Sequence, residues 1–493
     1  MSGAPLTDVA RQENDALREA GLSAPGALRA AHRLARVRTA LRSYGPGVGD
    51  PVGAFQVPGR IEVAGKHVDY AGGRSLVAAV EQGISVMVAP IRERRLVFLE
   101  ADGVLTGEPG SIFESSAGPE GSIHEAAQTG GAAGAAAWHL YPRTVLGRIA
   151  RDAPGRMDRG VLVAFSSSLP RAAGLSSSTA LVTALWMALD ARFDLATALV
   201  GGEAFDAPDH APDHVPELEL ARYLSALESG RPHDVGRAGG AGNEAPPTPS
   251  LQLRGVGTDG GSQDHAAVLL ARAGHLTHLR FRPLARVEEV DFPPGWVMAV
   301  GVSGVHAEKA GGAQIAYNRL ANEARDAAAR WRARTGGGEM HLGAILETLG
   351  DGDPGVWGGA DPGTWMGARF LQFRTECQDV VPSIVHALQS WDDGGPERLG
   401  RAVDRSQRLA EEVLLNQVPE TVFLVRSARR IGVPAASAFG AGFGGAVWAM
   451  VRKDEAAAFL RRWRHDYLSR FPGRAPGSRF FATPPGPGAF RVF

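Results

Sequence analysis

Apolar residues recur at helical spacing through the first 45 positions. Leu17, Leu22, Leu28, Leu34 and Leu41 stand in an Ala/Arg background, which predicts helix over 1–45. The period then changes. Ala54–Val63 predicts a strand running into a turn, and Ser75–Val88, apolar and β-branched, predicts one or two buried strands. Leu96–Leu99 adds a short strand, and the Gly-, Ser- and Ala-rich stretch 103–135 predicts a loop ahead of a helix starting near Gly134. Val161–Ser166 predicts a strand, Leu175–Asp194 a long helix, Glu217–Ser229 a second helix and Ala266–Ala271 a strand. A new alternation starts at Leu276. It carries a strand over Trp296–Val302, helices over Ala316–Arg334, about 397–415 and about 419–431, and a strand over Ala446–Val451. The Gly-, Pro- and Asp-rich stretches 201–215 and 229–254 read as surface insertions, and 335–362 is again rich in Gly.

Strands and helices mixed in this way, with long inserts, predict an α+β chain of two lobes. We divide it into a helical segment over 1–50, a first lobe over 51–272 and a second over 273–493; no internal repeat is visible. Lys plus Arg number 52 and Asp plus Glu 53, a formal charge of -1 that argues against a nucleic-acid surface or a polybasic membrane anchor. Hydrophobic residues at 44% and charged residues at 21% fit a globular chain and argue against bulk disorder. The single cysteine, Cys377, can form neither an intramolecular disulfide nor a Cys-based zinc site. No run of about 18 apolar residues and no basic start followed by an apolar stretch occurs, so a cytoplasmic protein is expected. Oligomeric state is not readable.

Gly 64 and Pro 32 exceed ordinary usage, and part of that excess falls in segments that carry chemistry. In Pro58–Gly73, Arg60, Lys66, His67 and Asp69 crowd between glycines after a strand, a setting that suits a small polar ligand or an ordinary charged turn. In Leu169–Ala180 a strand feeds a Gly/Ser turn that opens a helix, with Ser176, Ser177 and Ser178 in succession. Free N–H groups and the positive end of the dipole make such a turn a phosphate site, and three serines exceed what a cap needs. It lacks the Gly-Lys-Ser/Thr of a Walker loop. Gly440, Gly442 and Gly445 spell a literal G-x-G-x-x-G, yet β-like AVWAMV follows, where a dinucleotide site needs a helix. A glycine hairpin whose backbone approaches a ligand or another loop fits better. In Gly255–Val268, a glycine loop ends in Asp264-His265, where the aspartate can serve as a base or simply form a turn.

In this order the segments resemble the GHMP small-molecule kinases, and among them the galactokinase branch. Gly59-Arg60 through Gly65-Lys66-His67-Val68-Asp69-Tyr70 is similar to that branch's sugar signature, and Pro170 through Gly174-Leu175-Ser176-Ser177-Ser178 to the phosphate loop. Gly440-Ala441-Gly442-Phe443-Gly444-Gly445 is similar to the C-terminal glycine motif, and Gly261–Asp264 sits where the loop with the catalytic aspartate falls. The resemblance covers about residues 50–455. It implies a ribosomal protein S5 domain 2-like N-terminal lobe and a ferredoxin-like C-terminal lobe, with ATP, Mg²⁺ and a sugar in the cleft. It further implies catalytic Arg60 and Asp264, sugar contacts from Lys66, His67, Asp69, Gly261 and Tyr317, and nucleotide contacts from Pro170, Gly174, Leu175, Ser176–Ser178, Gly440 and Gly442. Ser178 and Glu228 would meet the metal, Glu228 being equally readable as a solvated helix end. A small-molecule kinase acting on the anomeric hydroxyl of galactose or a related sugar is implied; a catalytically silent sugar/ATP sensor is the competing class.

The chain departs from the family at Lys66, where galactokinases carry Glu. A buried ammonium can only donate hydrogen bonds and is costly without an anion. It can pair with an acid of the protein such as Glu62, turn to solvent, or meet the carboxylate of a uronic acid. Three features read as structure: a solvated loop for His210 and His214 among Asp206, Asp209 and Asp213; core packing as much as an adenine pocket for Trp138 and Tyr141; and an exposed helix face for Arg426, Arg429 and Arg430.

Overall fold

Successive residues of a strand point to opposite faces, and here both faces are covered. Val86 and Val88 enter one core with Val161, Val163 and Phe165, whereas Met87, Ala89, Leu162 and Ala164 enter another. That double burial is why 75–88 and 161–166 read as continuous apolar runs. The structure is a computed structural model and describes residues 8–493 apart from 104–110, 118–122, 126–137, 201–215, 234–254, 258–259, 306–311 and 351–363. The insert at 201–215, with His210 and His214, and most of that at 229–254 therefore lie outside the described residues.

Helices α1 (Asp8–Glu19) and α2 (Ala24–Tyr44) precede strands β1 (Gly53–Ala64), β2 (Arg74–Ile91), β3 (Arg95–Glu100), β4 (Ser111–Ala117) and β5 (Ile123–Glu125). Then come α3 (Leu140–Asp152), β6 (Gly160–Ser167), α4 (Ser177–Phe193), α5 (Leu195–Leu199), α6 (Pro216–Ser229) and α7 (Gln263–Leu270). Strands β7 (His275–Arg280), β8 (Ala285–Asp291) and β9 (Trp296–Val302) lead to α8 (Gly312–Thr335), α9 (Leu342–Leu349) and α10 (Trp365–Arg374). A π-helical turn (Thr375–Val380) joins α10 to α11 (Val381–Gln389), followed by α12 (Gly395–Glu412) and α13 (Pro419–Ile431). The chain ends with β10 (Ala436–Phe439), β11 (Ala446–Arg452), α14 (Ala456–Arg470), β12 (Arg479–Thr483), β13 (Pro485–Gly486) and β14 (Phe490–Arg491).

Among the described residues these strands build two sheets. The larger runs β14-β1-β2-β6-β3-β4-β5, with β13 and β7 also on β2 and β8 on β7; the smaller runs β10-β11-β9-β12. Only β3 and β6 pair parallel; the remaining pairs are antiparallel. The apolar helix α4 lies against β1 and β2 inside the main core, as a helix without a polar face must. Helices α1 and α2 and the turn between them cover the other face through Leu17, Leu22, Leu34 and Leu41, while Leu28 points out. Glu81 pins them by accepting the Ser23 N–H at 2.6 Å. This is a two-lobed α+β fold.

Two sequence expectations change. The run 266–271 is helical, because α7 is buried on nearly every side and so shows no period. The stretch 103–135 contains β4 and β5; the helix that follows is described from Leu140, and the expected start near Gly134 lies outside the described residues. Strands β7 and β8 belong to the larger sheet, and the smaller begins at Trp296. β14 returns to β1, so both lobes draw on the last residues.

Candidate active site

Strand β1 carries Arg60 into the space between α4 and α7. Its guanidinium donates through Nε to Asp264 Oδ1 at 2.7 Å, with Nη2 also 2.7 Å from that oxygen, and its Nη1 donates to the Gly174 carbonyl. Its backbone N–H donates to Leu175 O at 3.2 Å. One residue thus ties the Gly/Ser turn to the aspartate. The Arg60 side chain is 5% exposed and that of Asp264 24%, so the carboxylate is the member that opens to solvent. Burial draws the Arg60 proton affinity down, but Asp264 and then Glu62 outweigh it and hold the group above its ordinary value. Asp264 stands in the first turn of α7 rather than at a strand start.

Asp69 lies beside this pair. Its carboxyl accepts the backbone N–H groups of Tyr70 and Gln263, while burial and then the neighbouring Asp264 raise its pKa. Gly261 passes so close that an added Cβ would sit 2.5 Å from Asp69 Oδ2, which is why the loop needs glycine there. Tyr317 reaches over from α8, its ring 5.4 Å from His67 and 6.3 Å from Tyr70. Burial, then Asp69, Tyr70, Asp264 and Glu62, push its hydroxyl well above the usual range. Arg60, Asp69, Asp264, Gly261 and Tyr317 are therefore brought together.

The Gly/Ser turn opens α4 with Ser176 in the left-handed region at φ 56° and with no side-chain cap. Ser176 is 7% exposed and its Oγ has no protein partner. Ser177 starts the helix, and Ser178 is buried behind it. The hairpin of β10 and β11 packs on this turn: a Cβ at Gly440 would lie 2.9 Å from Gly174 O, and Gly445 is seated on Ala173 and Gly174. Gly442 approaches Asn416 with φ 79°. The glycines let one loop's backbone lie on the other.

Family models match three parts of the chain: "Galactokinase galactose-binding signature" over residues 43–90, "GHMP kinases N terminal domain" over 140–240 and "GHMP kinases C terminal" over 384–468. The chain carries the N- and C-terminal domains of the GHMP kinases and the galactokinase galactose-binding signature. The fold agrees. Lactococcus lactis galactokinase, solved in complex with galactose, superposes with TM-score 0.68 over 92% of this chain and 98% of its own, at 18% identity. The Lin0012 protein of Listeria innocua gives 0.52 over 89% and 98% at 13% identity, and Methanococcus jannaschii mevalonate kinase 0.50 over 87% and 97% at 12%.

Several signature residues are held by partners within the protein. His67 Nδ1 is 3.0 Å from the Tyr70 hydroxyl and Nε2 3.1 Å from Ala441 O, so the ring fastens the glycine hairpin. Burial, then Arg369, lowers its pKa to about 3, and the ring is neutral. Lys66 does not reach solvent. It is 2% exposed and donates to Ser406 Oγ at 2.8 Å; Ser406 donates in turn to Glu376 Oε1 at 2.6 Å, and Glu376 Oε2 accepts the Gly65 N–H at 2.9 Å. Its hydrogen-bonded link runs to Glu376 rather than directly to Glu62. Glu228 is no solvated helix end: it is 4% exposed, and Oε2 accepts from Thr179 Oγ1 at 2.9 Å and lies 3.0 Å from His265 Nε2. Trp138 is core, donating to Ser111 Oγ at 3.0 Å. Arg426 and Arg430 are exposed, while Arg429 binds Asp404 at 2.9 Å and ties α13 to α12. Sequence reasoning passed over Glu376 and Ser406, whose only signal was an unpaired acid and hydroxyl far along the chain.

Proposed function

We propose that the chain transfers the γ-phosphoryl group of ATP to the anomeric hydroxyl of galactose or a related neutral sugar. The observation that carries this reading is the Arg60 guanidinium, bonded at once to Asp264 and to the Gly174 carbonyl of the phosphate turn. Phosphoryl transfer needs placement and charge stabilisation more than covalent chemistry. Asp264 accepts the proton of the sugar hydroxyl. Arg60 steadies the negative charge that develops on the transferring group. Asp69 and Tyr317 orient the sugar beside that pair, and the N–H groups of Ser176–Ser178 with the α4 dipole hold phosphate oxygens.

The unpartnered, buried Ser176 Oγ at the head of α4 fits an anionic ligand there. Mg²⁺ takes one or two carboxylates with phosphate oxygens and waters, and the hard oxygens of Ser178 and Glu228 suit it. When bound it neutralises phosphate charge. Lys66, spent on Ser406, supports a neutral sugar rather than a uronate. A coupled ADP-release assay over galactose, arabinose, fucose and galacturonate tests the reading: a neutral sugar is expected to give turnover. Mg-ATP binding with no ADP released from any sugar would identify a silent sensor instead.

A further inference from the structure

Strand β1 carries another carboxylate that this chemistry does not use. Glu62 lies two residues beyond Arg60, on the same face of the strand, and is 4% exposed. Its Oε2 accepts from Gln263 Nε2 at 2.7 Å, and its Oε1 is buried with no hydrogen-bond partner. Gln263 immediately precedes Asp264, and its own backbone N–H goes to Asp69. The glutamine therefore stands between three acids. Arg60 is shared as well, since Asp264 and Glu62 both hold its charge.

We propose that Glu62 is a positioning residue for the phosphoryl transfer, fixing Asp264 through Gln263 and setting its basicity through the shared Arg60. The inference rests on Asp264 being the proton acceptor. An ionised Glu62 takes part of the Arg60 field, which leaves Asp264 less stabilised as an anion and so the stronger base. A neutral Glu62 leaves Arg60 to Asp264 alone. The groups that face Glu62 are Arg60 on its own strand, Lys66 in the following turn, Gln263 on α7, Glu376 in the π-helical turn and Tyr317 on α8. Burial raises the Glu62 pKa and Glu376 adds to it, against Arg60, Lys66 and Gln263; the balance leaves it at about 7. Its charge thus changes inside an ordinary assay range.

The test measures kcat and KM from about pH 5.5 to about pH 9 for the full chain, Glu62→Gln and Gln263→Met, with a sugar the wild type turns over. Glu62→Gln can keep the bond to Gln263 through its amide oxygen and removes the charge. It is expected to lower kcat about tenfold near pH 8 with KM for ATP unchanged, and to lose the inflection near pH 7. Gln263→Met keeps the charge and loses the bond; kcat should fall with the inflection retained. Wild-type kcat and an unmoved inflection in Glu62→Gln overturn this inference alone. A wild type that binds Mg-ATP and turns over no sugar overturns it together with the kinase reading.

Discussion

Arg60 and Lys66 are buried cations at the two ends of one signature segment, and each serves an acid. Arg60 grips Asp264 directly at 2.7 Å, and that acid is 24% exposed. Lys66 reaches Glu376 through the Ser406 hydroxyl, and all three groups are buried. A carboxylate with one side open can give up its partner and meet a substrate. A carboxylate whose oxygens are taken by a hydroxyl and a backbone N–H has nothing left to offer. Charge alone does not separate the two arrangements; access does.

The sharpest way to break this comparison is at its open end. Asp264→Asn should keep the fold and Mg-ATP binding and lower kcat by about 10²–10⁴-fold, since a positioned base is gone. Stopped-time ADP assays beside a binding titration check it, and wild-type turnover would end the assignment. At the closed end the effect should appear in stability instead. Lys66→Met leaves Glu376 and Glu62 without their ammonium and should cost about 3 kcal/mol in urea unfolding. Adding Glu376→Gln should restore more than half of that. The sugar ranking should not change in the double variant; a changed ranking would put Lys66 in the sugar site.

The sequence made the open end legible and hid the closed one for a physical reason. Arg60, Asp69 and the serine turn lie in local segments whose glycines and polar crowding announce themselves. The acid that answers Lys66 stands in a π-helical turn far along the chain, and nothing local marks it. Position 62 looked like a possible Lys66 partner; its bond to Gln263 needs the three-dimensional approach of β1 and α7. Strands β1, β2, β3 and β6 of the larger sheet were readable from their apolar, β-branched runs, whereas β4 and β5 fell in a stretch read as a loop. Ala266–Leu270 has the same apolar look, and only burial around α7 explains why it is helix. Sheet membership of β7 and β8 is set by pairing with β2, which no local pattern encodes.

Glu62 sits between the two ends and allows a finer measurement. The folded chain keeps its proton to about pH 7, whereas the ordinary value is 4.5. Stability from this group is therefore complete below about pH 4.5 and is lost as pH rises to about 7, on the order of 3 kcal/mol. Glu62→Gln should remove that loss, so its unfolding free energy should gain on the wild type as pH rises across this window. Parallel curves from chemical denaturation at a series of pH values would show that the carboxyl is already ionised when folded.

The smallest effect belongs to Ser176, and it tests whether an open polar group always means a ligand. Its hydroxyl is buried at the head of α4, has no protein partner and makes no cap bond. A serine that served only as a helix cap would lose stability on truncation. Here Ser176→Ala removes no bond of the folded chain, and the backbone at φ 56° is no easier for alanine than for serine. Unfolding without ligand should thus stay within about 0.5 kcal/mol of the wild type. A hydrogen bond to nucleotide phosphate is worth about 1 kcal/mol, so Mg-ATP affinity should fall about fivefold in a calorimetric titration. The reverse result, a less stable chain with unchanged affinity, would make this turn a structural element of α4 and move the phosphates elsewhere in the cleft.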